Sequence, residues 1–131
     1  MTPTLKEGQI VVSVKSSQFE RNDLVAFYIG NKLLVKRVIA GPADMVTITE
    51  DGTVFVNSNE LYEPYITGKA LGECDLEFPY QVPDSHYFLM GDHRALSVDS
   101  RSSSVGCIAQ EQIVGKIVLR VWPLNKFGLF E

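Results

Sequence analysis

Short apolar runs rich in β-branched residues alternate with polar turn residues along most of the chain. These runs predict strands at residues 9–14, 24–29, 33–40, 46–49, 53–56, 86–90 and 113–119. Gly-Asn at residues 30–31 predicts one tight hairpin turn, and Glu-Asp-Gly at residues 50–52 predicts another. The pattern predicts no helix longer than two turns. Many short strands separated by turns indicate an all-β fold, either a sandwich or a barrel.

Lys36 lies inside the apolar run at residues 33–40. Burial disfavours the charged ammonium and can lower the pKa of a lysine by up to ~3–5 units, which makes Lys36 a candidate general base. Two alternatives give it no function: strand alternation turns its side chain outward, or its stem lies on apolar surface while the ammonium reaches water. Successive strand residues point to opposite faces, so Lys36 and Arg37 should diverge.

A polar box at residues 90–101 follows the predicted strand at 86–90. Its charged side chains can form ion pairs that hold the loop rigid, and they are Asp92, Arg94, Asp99 and Arg101. The hydroxyl of Ser97 can orient a nearby amine by accepting its hydrogen bond. A solvated surface loop can have a similar composition, so the box alone does not indicate a functional site. It becomes informative because the same chain has a lysine in a predicted strand.

The composition is that of a folded protein, with 131 residues, 45% of them hydrophobic and 21% charged. This length predicts one domain, residues 1–131. The net charge of −4 and the scattered basic residues argue against nucleic-acid binding, and we find no metal or phosphate motif, so no cofactor is expected. No apolar stretch approaches the ~20 residues that span a bilayer, so we expect the given chain to be soluble. We expect Cys74 and Cys107 to be unpaired thiols.

Three segments carry a resemblance to a known family. They are Met-Thr-Pro-Thr-Leu at residues 1–5, Val-Lys-Arg-Val-Ile at 35–39, and the box with Gly-Asp-His-Arg at 91–94 and Ser-Val-Asp-Ser-Arg at 97–101. Together they resemble the successive motifs of bacterial type I signal peptidases, in their short Gram-positive form. Weaker similarity covers essentially the whole chain. The resemblance implies antiparallel β-sheets that form a partly open barrel or sandwich with little helix.

The resemblance also implies a serine endopeptidase that removes signal peptides after a small-x-small motif by a Ser/Lys dyad. Lys36 matches the general base and Ser97 the serine that orients it, while Asp99, Arg101, Asp92 and Arg94 match or flank residues that support the site. We expect Pro3 and Val35 to line the substrate site. The implied partners are preprotein signal peptides and a membrane lipid surface. The implied location is the outer face of the bacterial cytoplasmic membrane, to which the parent protein is anchored.

The nucleophile of that family is the serine immediately before the Met-x-Pro-Thr segment, and the given sequence begins at Met1. We therefore expect the chain as given to hold the base without the nucleophile and to be inactive. His93 stands where the family commonly has asparagine. The apolar tail residues Trp122, Phe127, Leu129 and Phe130 are expected to contribute to a membrane-facing surface, with ordinary core packing as the alternative, above all for Trp122.

Two other functions stay open at this stage. One is a non-catalytic signal-peptidase-like factor that assists pilus assembly, which a chain without the nucleophile would fit. The other is a self-cleaving protease related to the SOS repressors, which also place a lysine in a Val-Lys-Arg-like strand. Lys36 counts against the first alternative because a buried lysine without a role is costly. The box at residues 91–101 counts against the second.

Overall fold

The computed structural model of the protein describes residues 1–5, 10–122 and 128–129, without the side chains of residues 10–13, 119–122 and 129. Eleven strands lie in these ranges: β1 Ile10–Val14, β2 Leu24–Ile29, β3 Lys32–Ala40, β4 Met45–Ile48, β5 Val54–Val56, β6 Asn59–Glu60, β7 Tyr80–Gln81, β8 His86–Met90, β9 Ile108–Ala109, β10 Ile113–Trp122 and β11 Gly128–Leu129. All seven predicted strands are present. The described ranges contain no α-helix, only a 3-10 turn at Gln110–Gln112. None of their helical segments is long and apolar enough to cross a membrane.

The larger sheet has the strand order β1-β10-β2-β3-β8-β9, with β11 also paired to β10. All of these pairs are antiparallel. The predicted β2–β3 hairpin is confirmed, and Gly30 adopts the left-handed φ of +59° that its tight turn requires. The pairing of β3 with β8 runs from Arg37 to Ala40. Lys36 therefore lies one residue beyond that pairing, where the polar box leaves β8.

The smaller sheet has the order β6-β5-β4-β7 and packs its apolar face on the larger one. The side chains in this interface are buried and come from both sheets: Ile39, Ala40, Phe88 and Met90 from the larger, and Val46, Ile48, Val54 and Val56 from the smaller. Each fully buried side chain of this size stabilises the fold by about 1.5–3 kcal/mol. The interface fixes β3 and β8, the two strands that lead into the candidate site.

A second cluster, with Val25, Phe27, Val38 and Leu89 among its members, extends the core of the larger sheet. A third, small cluster is formed by Leu24, Ala26 and Ile117, and the partly buried side chains of Met1, Leu5 and Val35 pack against it. This third cluster matters for function because it seats the N-terminal segment beside β3. Sequence alternation along β2 produces the arrangement, since Leu24 and Ala26 alternate with Val25 and Phe27.

Residues 61–79 connect the two parts of the small sheet without regular secondary structure. Glu63 and Leu71 of this segment contact Arg94 and Arg101 of the polar box. Cys74 and Cys107 are both free thiols, as expected. The expected membrane-facing tail lies outside what is described: Phe127 and Phe130 are not described at all, and only the backbone is described at Trp122 and Leu129.

Candidate active site

Lys36 and Ser97 meet at the end of β8. The Nζ atom of Lys36 donates a hydrogen bond to the Oγ atom of Ser97 at 2.8 Å, the contact expected from the sequence. Ser97 in turn donates to the Oδ2 atom of Asp99 at 2.8 Å. Lys36 is half-buried, and burial lowers its pKa, while Asp99 raises it in part and Arg101 lowers it further. Lys36 is thus an amine of lowered pKa that is held by a hydroxyl.

Gly91 provides the space in which these two side chains meet. A Cβ atom built on Gly91 would lie 2.1 Å from Ser97 Oγ and 3.3 Å from Lys36 Nζ. The backbone N–H of Gly91 donates to Asp99 Oδ2 at 2.9 Å, so the same carboxylate oxygen holds both Gly91 and Ser97. A side chain at position 91 would therefore push Ser97 away from Lys36.

Asp99 and Arg101 form a buried ion pair in which each side chain is 0% exposed. Arg101 donates from Nε to Asp99 Oδ1 at 2.8 Å and from Nη2 to Oδ2 at 2.9 Å. Its Nη1 atom donates to the carbonyl of Leu71 at 2.8 Å and its Nη2 atom to the carbonyl of Ser97 at 3.1 Å. These contacts tie the box both to itself and to the connecting segment at residues 61–79. Such two-point pairs fix geometry as well as charge.

Asp92 joins the N-terminal segment to β3. It accepts from Arg37 Nε at 2.9 Å and from Arg37 Nη2 at 2.8 Å. The hydroxyl of Thr4 donates to the same carboxylate, and the neighbouring His93 shares a 3.0 Å hydrogen bond with Thr2. Arg37 thus meets a carboxylate while Lys36 meets a hydroxyl, so the two adjacent cations serve different parts of the box.

The amino group of Met1 lies close to Lys36. Burial lowers the pKa of this amino group, the positive charge of Lys36 lowers it further, and Asp92 raises it in part. The Sδ atom of Met1 accepts a hydrogen bond from the backbone N–H of Asp92 at 3.4 Å. The three segments that the sequence singled out therefore converge: Met1 contacts Asp92 of the box, and its side chain packs against the same cluster as Val35 of β3.

A third buried ion pair, between Arg94 and Glu63, was not expected from the sequence. Arg94 donates to Glu63 Oε1 at 3.0 Å and to Oε2 at 2.5 Å, and it also donates from Nε to the carbonyl of Gly91 at 2.9 Å. Burial by itself would lower the pKa of Arg94, but Glu63 outweighs it and the pKa is raised. The charge balance of the three family-like segments could have indicated such a pair. They contain three arginines, Arg37, Arg94 and Arg101, but only two carboxylates, Asp92 and Asp99, so one buried arginine needs a carboxylate from elsewhere.

Two sequence-predicted residues are less clearly placed. Val35 is half-buried against the third cluster, and Pro3 is exposed. Pro3 belongs to the N-terminal segment, residues 1–5, and Val35 packs against the same cluster as Met1 and Leu5 of that segment. Their role toward a substrate stays a prediction. Among the described residues, no group of three or more His, Cys, Asp or Glu side chains is arranged to hold a metal ion.

The family model described as "Signal peptidase, peptidase S26" matches residues 1–122. The chain belongs to this family. It is 36% identical to signal peptidase IB of Staphylococcus aureus strain COL over 148 residues, covering 97% of this chain and 75% of the relative. It is 30% identical to signal peptidase I of Streptococcus pneumoniae serotype 4 over 169 residues, covering 99% of this chain and 81% of that relative.

A crystal structure of a signal peptidase I from Enterococcus faecalis V583 matches this fold with a TM-score of 0.61. The two chains are 26% identical, and the match covers 76% of this chain and 96% of the other. This match confirms the predicted fold class of antiparallel sheets with little helix. The expected family, one of proteases that process signal peptides, is confirmed as well.

Proposed function

We propose that the protein acts as a serine endopeptidase that removes signal peptides from exported preproteins, with Lys36 as the general base. The observation that carries this proposal is the lysine itself. Its Nζ atom is half-buried, its pKa is lowered by that burial, and it is hydrogen-bonded to a hydroxyl at 2.8 Å. A neutral amine fixed in this way can accept a proton at a pH where an ordinary lysine cannot.

Ser97 suits an orienting role better than that of the nucleophile. Its proton is directed to Asp99, and its oxygen accepts from Lys36. In this arrangement the lysine does not take the proton of Ser97. The hydrogen bond instead fixes the direction of the lysine lone pair, which is what a base needs from a supporting residue.

The nucleophile that we propose is a serine directly preceding Met1. The place of Met1 supports this position, because its side chain packs against the same cluster as Val35, the neighbour of Lys36, and its Sδ atom accepts from the backbone N–H of Asp92. Lys36 would take the serine proton while the serine oxygen attacks the scissile carbonyl. The resulting ammonium would return a proton to the departing amine, leaving an acyl-enzyme that water hydrolyses with Lys36 again as the base.

The substrate would lie extended beside β3 and the N-terminal segment, with Val35 and Pro3 along its path. Backbone hydrogen bonds to an exposed strand edge are a common way to bind an extended peptide. Small residues at the first and third positions before the cut are the preference that the family resemblance implies. We place the parent protein at the outer face of the bacterial cytoplasmic membrane, where exported preproteins emerge.

Three versions of the polypeptide test this proposal. Each is extended upstream of Met1 by residues that include the hydrogen-bond donors of an oxyanion hole, which stabilises the negatively charged oxygen of the reaction intermediate. The first carries serine directly before Met1, the second carries alanine there, and the third combines the serine with Lys36→Ala. Mass spectrometry of a signal-peptide substrate in detergent should show cleavage after the small-x-small motif by the first version alone. If the folded serine version cleaves no such substrate, the non-catalytic assembly-factor function is the better account.

A further inference from the structure

We propose that Glu63 and Tyr65 are positioning residues for the Lys36–Ser97 pair, acting through Arg94 and the carbonyl of Gly91. Both lie in the connecting segment at residues 61–79, outside the recognised motifs. The catalytic meaning of this proposal rests on the proposed function, whereas its effect on Lys36 can be measured without catalysis.

Glu63 holds Arg94 in place. The Arg94 side chain is 0% exposed and that of Glu63 is 3% exposed, and two hydrogen bonds join them. A buried guanidinium that loses its carboxylate is left uncompensated, so it tends to move toward water. The position of Arg94 therefore depends on Glu63.

Arg94 in turn holds Gly91. Its Nε atom donates to the Gly91 carbonyl at 2.9 Å, and the Gly91 N–H donates to Asp99 at 2.9 Å. These two hydrogen bonds anchor both sides of the residue against which Ser97 Oγ and Lys36 Nζ pack. If Arg94 moves, Gly91 loses one of these anchors, and the enclosure of Lys36 loosens.

Tyr65 extends the same support to the other arm of the site. Its hydroxyl donates to Glu63 Oε2 at 2.8 Å, and its ring centre lies 3.8 Å from Cζ of Arg37. Arg37 holds Asp92, which holds the N-terminal segment through Thr4. Burial, and next the charge of Glu63, raise the pKa of Tyr65, so its hydroxyl stays protonated as a donor. One short segment thus contacts both the lysine side and the Met1 side of the site.

The test follows the pKa of Lys36 in the 131-residue chain by NMR, using isotopically labelled lysine. In Glu63→Gln, a simple loss of negative charge would lower the pKa of Lys36, because a cation becomes less favourable. If instead the enclosure of Lys36 loosens, water enters and the pKa of Lys36 rises. We expect a rise of about one unit, a fraction of the ~3–5 units that full burial can produce. The matched control is Glu60→Gln, the same change at an exposed position, which should leave the pKa unchanged.

Arg94→Lys separates positioning from charge. It keeps the positive charge opposite Glu63 but removes the Nε donor to Gly91, so a rise in the Lys36 pKa would come from position. Tyr65→Phe, which keeps the ring over Arg37, should have a smaller effect than Tyr65→Leu. The charged groups that face Lys36 are Asp92, Asp99, Arg101 and the Met1 amino group, and these variants leave all four in place.

An unchanged or lowered pKa of Lys36 in folded Glu63→Gln and Arg94→Lys would overturn the proposal, even if both variants melt earlier. In the serine-bearing polypeptide, the same variants should shift the acid limb of the kcat profile upward by the change in the Lys36 pKa. A one-unit rise corresponds to about a tenfold loss of kcat on that limb, recovered at high pH. KM should change little. If the serine-bearing polypeptide without further substitutions is itself inert, the proposed function fails. The NMR result still decides whether Glu63 and Tyr65 position Lys36.

Discussion

Replacing Gly91 with alanine tests the geometry of the site most directly. The added methyl carbon would lie 2.1 Å from Ser97 Oγ and 2.6 Å from Ser97 Cβ, so Ser97 must move. Gly91 does not have a left-handed φ, so alanine introduces no backbone strain of its own there. The expected cost therefore comes from steric displacement and from the contacts that Ser97 loses.

The magnitude follows from two contributions. Inserting a methyl group into a packed region costs about 1–3 kcal/mol. Loss of the hydrogen bonds from Lys36 to Ser97 and from Ser97 to Asp99 costs about 0.5–1.5 kcal/mol each. Together they cost about 2–6 kcal/mol, and the middle of that range, about 4 kcal/mol, corresponds to a melting temperature lowered by roughly 15 °C for a chain of this size.

Thermal unfolding followed by circular dichroism measures this effect, with Gly68→Ala as the matched control. Gly68 also lacks a left-handed φ, and a Cβ atom there would meet no heavy atom within 4 Å. The control should melt at the wild-type temperature or slightly above it, because alanine restricts the unfolded chain. Equal melting temperatures for Gly91→Ala and Gly68→Ala would refute the claim that Gly91 is needed for the packing of Ser97 against Lys36.

Two further predictions concern the charges of the site. Asp99→Ala leaves the fully buried Arg101 without its carboxylate and should reduce the free energy of unfolding by about 3–5 kcal/mol, so an unchanged urea midpoint would contradict its supporting role. The lowered pKa of Lys36 means that the unfolded chain binds more protons between the folded pKa and the unfolded value of about 10.4. The contribution of Lys36 to the free energy of unfolding should therefore increase as pH rises through that window. The free energy of unfolding of Lys36→Met should not show this increase with pH. If the stability of the variant and that of the unsubstituted chain depend on pH in the same way, the pKa of Lys36 is not depressed.

The sequence was most informative where local pattern and chemistry conflicted. A lysine inside an apolar strand indicated Lys36 as a candidate base, and the dense charges at residues 90–101 predicted ion pairs within the box, because such features are costly unless they are satisfied. The structure contains one such pair, between Asp99 and Arg101. The seven longer strands followed from periodicity. Strands β6, β7, β9 and β11 have two residues each, too few to show any period.

Glu63 was not predictable in the same way. It pairs with Arg94 across 31 positions of sequence, in a segment that has no strand or helical period. Propensity and alternation describe neighbours along the chain, so they carry no signal for a contact of this kind. What could have indicated it is the requirement that buried charges be paired, applied to the box as a whole.

The same charge balance contributes to the lowered pKa of Lys36. The carboxylates that raise its pKa, Asp99 and Asp92, are already paired with Arg101 and Arg37. Arg101 offsets part of the negative potential that would otherwise stabilise the Lys36 ammonium. Desolvation of Lys36, the largest cause, exceeds the attraction of the nearby acids, and the pKa falls. The Asp99–Arg101 ion pair thus does more than hold the loop: Arg101 offsets the charge of the acid beside Lys36, so burial can lower the pKa of the lysine.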